Sequence, residues 1–208
     1  MSFLRNSEEN IMSVLKPLTD EEFEPALLEE CQFFKGPLGV IPNSVRTMAR
    51  RPAIARAFTE LNAAVMKCDG ALTPEFKRLI GYITSFASGC RYCQAHTILA
   101  SERFGSTAPR MTDAWNYEDS PHFSEAEKVA LSFAHAASTV PNSVTPELGD
   151  ELVKHWSEGE VVELMGVIAL FGFLNRWNDS MGTALEDLPM ESATRNLAHT
   201  DWEAGKHR

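Results

Sequence analysis

At several points along the chain a hydroxyl residue is followed at once by acids, or by a proline and an acid, among them Thr19-Asp20-Glu21-Glu22, Thr73-Pro74-Glu75, Ser124-Glu125-Ala126-Glu127 and Thr145-Pro146-Glu147. A hydroxyl accepts from the free N–H groups of a first helical turn, proline suits the first helical position, and an early acid complements the helix dipole. Each device therefore reads as a helix start. Behind Thr73, the residues Phe76, Leu79, Ile80, Ile83, Phe86 and Ala87 form one apolar stripe at helical spacing. Behind Pro52, Ile54, Ala57, Phe58, Leu61, Ala64 and Val65 form another. No segment alternates with period two long enough for a sheet. The predicted fold is all-α.

Taken in order, the punctuation predicts a polar lead-in over 1–19 with a short apolar patch, Ile11 to Leu15, and a helix from Thr19 to about Phe34. Gly36-Pro37-Leu38-Gly39 breaks it. A short helix, Val45 to Arg50, precedes the Pro52 helix, which Asp69-Gly70 closes. Further helices run from Thr73 to Gly89, from Cys90 to about Phe104, within 107–116, from Ser124 to about Thr139, and from Thr145 to Trp156. The longest stretch, Glu158 to about Leu185, is apolar on nearly all sides in its middle, which predicts a central, buried helix. Gly166 and Gly172 within it point to close packing against another helix. After Pro189 the tail, 188–208, is polar and expected to be mobile. The reading is one domain over 1–208 with its core at about 40–187. The repeated Thr-Pro-Glu device hints at an internal duplication.

A net charge of −10 argues against nucleic acid and anionic membrane as partners, since both call for a basic surface. The N-terminus has no apolar core of a signal peptide, and the longest apolar run, Met165 to Leu174, is too short to span a bilayer. Four cysteines in 208 residues are too few for a secreted disulfide framework. The expected compartment is a reducing cytoplasm, where a C-x-x-C is catalytic or metal-binding rather than structural.

Such a pair lies in Gly89-Cys90-Arg91-Tyr92-Cys93-Gln94-Ala95-His96. With Gly89 ending one helix and Cys90 starting the next, both thiols fall in a first helical turn, where unpaired N–H groups and the dipole favour an anion. That is a place to lower a thiol pKa, and Cys90 is the thiol the dipole favours. His96, three residues past Cys93, shares its helix face. Three chemistries compete. A c-type haem site needs histidine directly after the second cysteine, where Gln94 stands. Structural zinc needs four ligands, and neither Cys31, Cys68 nor His135 has a spacing that marks it as the fourth. A dithiol/disulfide pair needs two thiols in reach, which the spacing fits best. The βαβ setting of a thioredoxin-like motif is missing. No cofactor and no metal are expected.

The segment Ser88 to Thr97 after an amphipathic helix, with the later Leu174-Asn175-Arg176-Trp177-Asn178-Asp179, resembles the alkylhydroperoxidase D and carboxymuconolactone decarboxylase superfamily, in its peroxidase-related, C-x-x-C-containing branch. The resemblance covers about residues 40–187. It implies an alkylhydroperoxidase D-like helical fold, a homo-oligomer (dimer, trimer or hexamer), and reduction of organic hydroperoxides. It would make Cys93 peroxidatic, Cys90 resolving and His96 part of a proton relay. A small peroxide would be the substrate and a protein or small dithiol the reductant. Two positions depart from the pattern: Arg78 stands where a relay glutamate is expected, and the histidine comes one residue early, with Thr97 in its usual place.

The flanking residues each carry a plainer reading. Glu75 and Asp179 are candidate substitutes for the missing acid. Arg78 either stabilises a thiolate or pairs with Glu75 at i, i+3. Tyr92 lines the thiol pocket or simply packs. Asn175, Asn178 and Asp179 follow a buried run and form an inter-helix or inter-subunit network. His135, in an apolar stretch, reads as a core or interface histidine, and Cys31 and Cys68 as ordinary buried thiols. Beside the peroxidase reading stand a carboxymuconolactone decarboxylase-like lyase, with a base such as Arg78 binding a small cyclic carboxylate, and a non-catalytic redox-sensing scaffold.

Overall fold

The structure, a computed structural model, describes residues 13–67, 70 and 72–208. Its helices are α1 (Pro25–Cys31), α2 (Lys35–Leu38), α3 (Asn43–Met48), α4 (Pro52–Met66), α5 (Pro74–Ala87), α6 (Arg91–Arg103), α7 (Ala108–Asp113), α8 (Glu125–Ser138), α9 (Pro146–His155), α10 (Glu158–Met181) and α11 (Asp187–Asn196), joined by short 3₁₀ turns. No strand occurs among the described residues. The fold is all-α, and none of these helices is long and apolar enough to cross a membrane.

The start signals act as their chemistry dictates. Thr73 Oγ1 accepts from the Phe76 N–H at 3.1 Å and Thr145 Oγ1 from the Leu148 N–H at 3.3 Å. Ser124 and Ser157 form reciprocal capping boxes with Glu127 and Glu160. The Thr19 device starts only one 3₁₀ turn, Asp20–Glu22, because the chain then extends at Phe23 and Glu24, and Pro25 begins a new helix. Gly36 and Pro37 lie inside the short α2, and the break falls at Gly39, whose φ of 78° is left-handed. The patch residues Ile11 and Met12, together with Cys68 and Asp69, lie outside the described residues.

At the centre α5 packs against α6, α8 and α10, and α6 packs in turn against α10 and α11. The close approach is made by Gly81 of α5, not by the α10 glycines. A Cβ on Gly81 would stand 2.5 Å from the Phe171 ring, whereas one on Gly166 would meet Val65 at an ordinary 3.6 Å and one on Gly172 only the tip of Arg176. Nor is α10 buried all round: Val162, Met165 and Phe173 are exposed along one side, while Leu164, Val167, Ile168 and Leu174 face the core. The buried Lys77 ties three helices together. Its Nζ donates to the carbonyls of Val65 and Lys67 at the end of α4 and pairs with Glu163 of α10 at 3.1 Å.

The largest departure from expectation is the C-terminal tail, which is folded back onto the body. Gly182, at φ 56°, ends α10 and turns the chain into the link to α11. On α6, Glu102 accepts from Ser192 Oγ at 2.8 Å and from Arg195 at 2.6 Å, docking α11. Beyond α11, Leu197, Trp202, Ala204 and His207 are buried, and the Leu185 N–H donates to the His207 carbonyl at 2.7 Å. Charges on one side and a few apolar anchors on the other dock a segment whose composition reads as solvated.

Candidate active site around the Cys90–Cys93 pair

Gly89, at φ 75°, makes the turn between α5 and α6. The chain leaves it extended, the Cys90 N–H donates to the Ser85 carbonyl at 3.0 Å, and α6 begins at Arg91. Cys90 is therefore the N-cap of α6 and Cys93 its third residue. Both thiols are buried and unbridged, in the first turn where the sequence places them.

Cys93 faces a cavity whose empty volume, open mouth included, is about 600 Å³. The walls are largely apolar, from Phe34, Val45, Phe58, Phe171 and Leu174. Arg78, Tyr92, His96 and Asn178 add polar groups. A concave apolar pocket with a few converging polar groups and a sulfur is what a small organic substrate requires. Asn178 Nδ2 donates to Cys93 Sγ at 3.4 Å, so this member of the expected α10 network reaches the sulfur itself. Its neighbour Asn175 donates to the Thr84 carbonyl at 3.4 Å.

His96 is fixed by two contacts. Its Nδ1 lies 3.0 Å from the Tyr92 carbonyl, an acceptor only, so Nδ1 carries a proton. Its Nε2 lies 3.0 Å from Oε2 of Glu186, off the line of a direct hydrogen bond. Glu186 also accepts from the Tyr92 hydroxyl at 3.0 Å and from the Asn43 N–H. Tyr92 stacks on His96, with ring centroids 4.2 Å apart, and accepts from the Ser44 N–H at 3.2 Å. Burial works against an ionised Glu186. The charge of His96, with backbone N–H groups, outweighs it and holds the carboxyl below its ordinary range. The acid facing His96 is thus Glu186, from the N-cap of α11.

The candidate acids named from the sequence lie elsewhere. Glu75 is held by Arg110 at 3.0 Å and Ser106 at 2.7 Å. Asp179 pairs with Lys206 at 2.9 Å and has an oxygen 3.8 Å from His207 Nε2. Arg78 is not a surface partner of Glu75. It is buried, donates to the Pro74 carbonyl at 3.0 Å, lies 4.2 Å over the Phe104 ring, and lines the Cys93 cavity. His135 is exposed, beside Phe86 and Trp115, rather than in the core.

Behind the pair, away from the cavity, lies a second histidine from the tail. Among the described residues, one polar side-chain atom each of Cys90, Asp179 and His207 lie within 4.8 Å of one another, and the carboxylate holds the Lys206 ammonium. The two sulfurs differ accordingly. The Cys93 thiol hydrogen-bonds the Cys90 sulfur, and despite burial this bond, with His207 and the Cys93 backbone, lowers Cys90 to about 6. Burial, reinforced by the adjacent Cys90 charge, pushes Cys93 well up, against the help of Asn178. At neutral pH the pair holds one proton, on Cys93.

Glu186 and His207 are the site residues that sequence reading misses. Each lies some 90 to 120 positions beyond its partner with no spacing to tie them. Leu197 and Trp202, large apolar residues in a polar tail, are the trace that the tail docks.

The profile of the carboxymuconolactone decarboxylase family matches residues 52–136. A cysteine-to-alanine variant of the debrominase Bmp8, in complex with 2,3,4-tribromopyrrole, superposes with a TM-score of 0.81 at 32% identity over 88% of this chain and 97% of that one. An alkylhydroperoxidase AhpD core, a peroxidase-related protein from Ralstonia eutropha JMP134, shares the fold with a TM-score of 0.74 at 23% identity, covering 86% and 94% of the two chains. The uncharacterised protein YnjA of Escherichia coli K12 is 27% identical over 158 residues, 76% of this chain and 84% of its own.

Proposed function

This chain belongs to the carboxymuconolactone decarboxylase and alkylhydroperoxidase D superfamily, and within it we propose that the protein is a thiol-dependent peroxidase for small, largely apolar hydroperoxides. The observation that carries the reading is the arrangement of the pair: Cys93 alone of the two lines the cavity, with a thiol of low pKa directly behind it.

The chemistry follows from the two positions. The Cys93 proton passes to Cys90, and the Cys93 thiolate, held by Asn178, attacks the distal oxygen of the hydroperoxide. The O–O bond breaks, and the alkoxide takes a proton from the His96 imidazolium that Glu186 stabilises. Cys93 is now a sulfenic acid. Cys90, deprotonated again, attacks its sulfur and expels hydroxide, which leaves as water. In sum, one hydroperoxide and two thiol equivalents give one alcohol, one water and a Cys90–Cys93 disulfide, which a protein or small dithiol reduces. Arg78 lies on the cavity wall as a charge for a polar end of the substrate. The exposed apolar side of α10, with Val162, Met165 and Phe173, is the face on which a homo-oligomer would form.

A second reading has its own support, the likeness to a debrominase over nearly the full chain. The same dithiol would then reduce a C–Br bond of a small aromatic ring: bromide leaves, a C–H bond forms with a proton from His96, and the thiols become a disulfide. Parallel assays decide between them. Peroxidase function predicts dithiol-dependent loss of cumene hydroperoxide without bromide release from 2,3,4-tribromopyrrole. Bromide release with hydroperoxide untouched would overturn it. An unchanged thiol count under both substrates would sink both readings and favour a lyase.

A further inference from the structure

On the thiol-redox reading, the resolving step needs Cys90 to lose, for a second time, the proton it took from Cys93, and the cavity offers that sulfur no base, since His96 and Glu186 belong to the Cys93 side. We propose that His207, the penultimate residue of the chain, is the proton acceptor of Cys90, held in place by the docked tail and backed by Asp179, so that the pair is served by two acid–imidazole relays rather than one.

The tautomer is fixed by the backbone. His207 Nδ1 lies 2.8 Å from the Thr183 carbonyl, which only accepts, so Nδ1 carries the proton. In the neutral ring Nε2 is then a bare acceptor. Nε2 is buried and has no hydrogen-bond partner, and the residue is 1% exposed. A buried acceptor left unpaired is costly, and the groups within reach of it are the Cys90 sulfur and the Asp179 carboxylate. A carboxylate cannot donate to it when ionised, so the donor that fits is the Cys90 S–H, present once that sulfur has taken the Cys93 proton. Once the proton has moved, the imidazolium faces Asp179 Oδ1 at 3.8 Å, which stabilises it.

The ring is positioned as a working group is positioned. The Leu185 N–H donates to the His207 carbonyl at 2.7 Å, pinning the tail to the link that carries Glu186. Tyr92 lies between the two histidines, stacked on His96 and tilted against His207 with centroids 5.8 Å apart. The charged and titratable groups around Cys90 are the Cys93 thiol on α6, Asp179 on α10, and His207 and Lys206 from the tail, with Lys206 neutralising the outer oxygen of Asp179. The low Cys90 pKa agrees with a basic neighbour on this side.

The proton then has a complete route. Cys90 S–H gives its proton to His207 Nε2, the Cys90 thiolate forms the S–S bond with Cys93, the S–O bond of the sulfenic acid breaks, the departing hydroxide takes a proton from water at the cavity mouth to leave as water, and the His207 imidazolium returns its proton to Cys90 when a dithiol reduces the disulfide.

The test reads the thiol directly and needs no substrate. With cysteine carbon-13-labelled at Cβ and the two signals assigned from Cys90→Ser and Cys93→Ser, the Cβ chemical shift follows each thiol–thiolate equilibrium against pH with no reagent having to reach the buried sulfur. In His207→Gln, checked by thermal melting, the Cys90 transition should move upward by at least about one pKa unit. A Cys90 profile unchanged in a folded His207→Gln protein would overturn the proposal. So would one equivalent of zinc bound by the native chain and lost in that variant, which would make the cluster a cation site. If the Cys90 profile shifts as expected while the native protein consumes no hydroperoxide, the relay stands and the peroxidase reading falls.

Discussion

Cys90 and Cys93 are three residues apart on one helix turn, yet they belong to different halves of the molecule. The Cys93 half is a cavity: apolar walls, Asn178 on the sulfur, and His96 held by Glu186 and Tyr92. The Cys90 half is closed: a helix N-cap, the Ser85 carbonyl, and a tail that seals it with His207 and Asp179. Burial is common to both and cannot explain why one thiol is acidic and the other is not. The difference lies in what faces each sulfur. Cys90 receives hydrogen bonds and a basic ring, and Cys93 receives an adjacent negative charge. A dithiol can thus divide its labour, with access on one side and a ready thiolate on the other.

The most severe way to break that division is to remove the accessible sulfur. Cys93→Ser should abolish dithiol-dependent hydroperoxide consumption, since the remaining thiol does not line the cavity; turnover near the native rate would show that access does not assign the roles. Next in size is Glu186→Gln. It strips His96 of its counter-charge and should slow turnover on the order of 10–100-fold, less than the about 10²–10⁴ that a whole general acid supplies, because the imidazole itself remains. The same change breaks a buried charge pair and should cost about 3–5 kcal/mol in denaturant unfolding. Equal activity with lowered stability would reduce Glu186 to a structural role.

The comparison also has a pH signature. With Cys90 near 6, its thiolate fraction is nearly complete at pH 7.5 and should be lost as the pH falls through 6, read from the Cβ chemical shift of carbon-13-labelled cysteine. Cys93, pushed up by burial and by its neighbour, should stay a thiol across that range. Coincident titrations of the two would erase the distinction between the halves. The smallest effect is expected from Gly81→Ala. The added methyl presses on Phe171, a wall of the cavity, and should cost about 1–2 kcal/mol in a thermal or denaturant melt. It should raise KM for a bulky hydroperoxide while leaving the Cys90 titration as it is.

The helical core was readable because its signals are local. Thr73, Ser124 and Thr145 announce helix starts within four residues, and the stripe from Phe76 to Ala87 needs only its own spacing. The dithiol was readable for the same reason: Gly89, Cys90, Cys93 and His96 lie within one turn and its continuation. What failed to show was everything that arrives from a distance. Gly81 gives no sign that Phe171 will lie against it, and the α10 glycines attract the packing argument although both positions leave room for a methyl group. Arg78 drew attention to a missing acid, and Glu75 and Asp179 were the local candidates. The acid that fills the place, Glu186, is set by the turn at Gly182 and the docking of α11 on Glu102. His207 depends on the same docking, and a tail read by composition alone looks solvated.

The central claim, that Cys93 meets the substrate and Cys90 resolves it, rests on trapping the first intermediate. Cys90→Ser protein is treated with one equivalent of cumene hydroperoxide in the presence of dimedone, alongside Cys93→Ser, and the adduct is mapped by tryptic mass spectrometry. The account predicts a dimedone adduct on Cys93 in the first protein and none on Cys90 in the second. An adduct on Cys90 in Cys93→Ser, with Cys93 unmodified in Cys90→Ser, would contradict it.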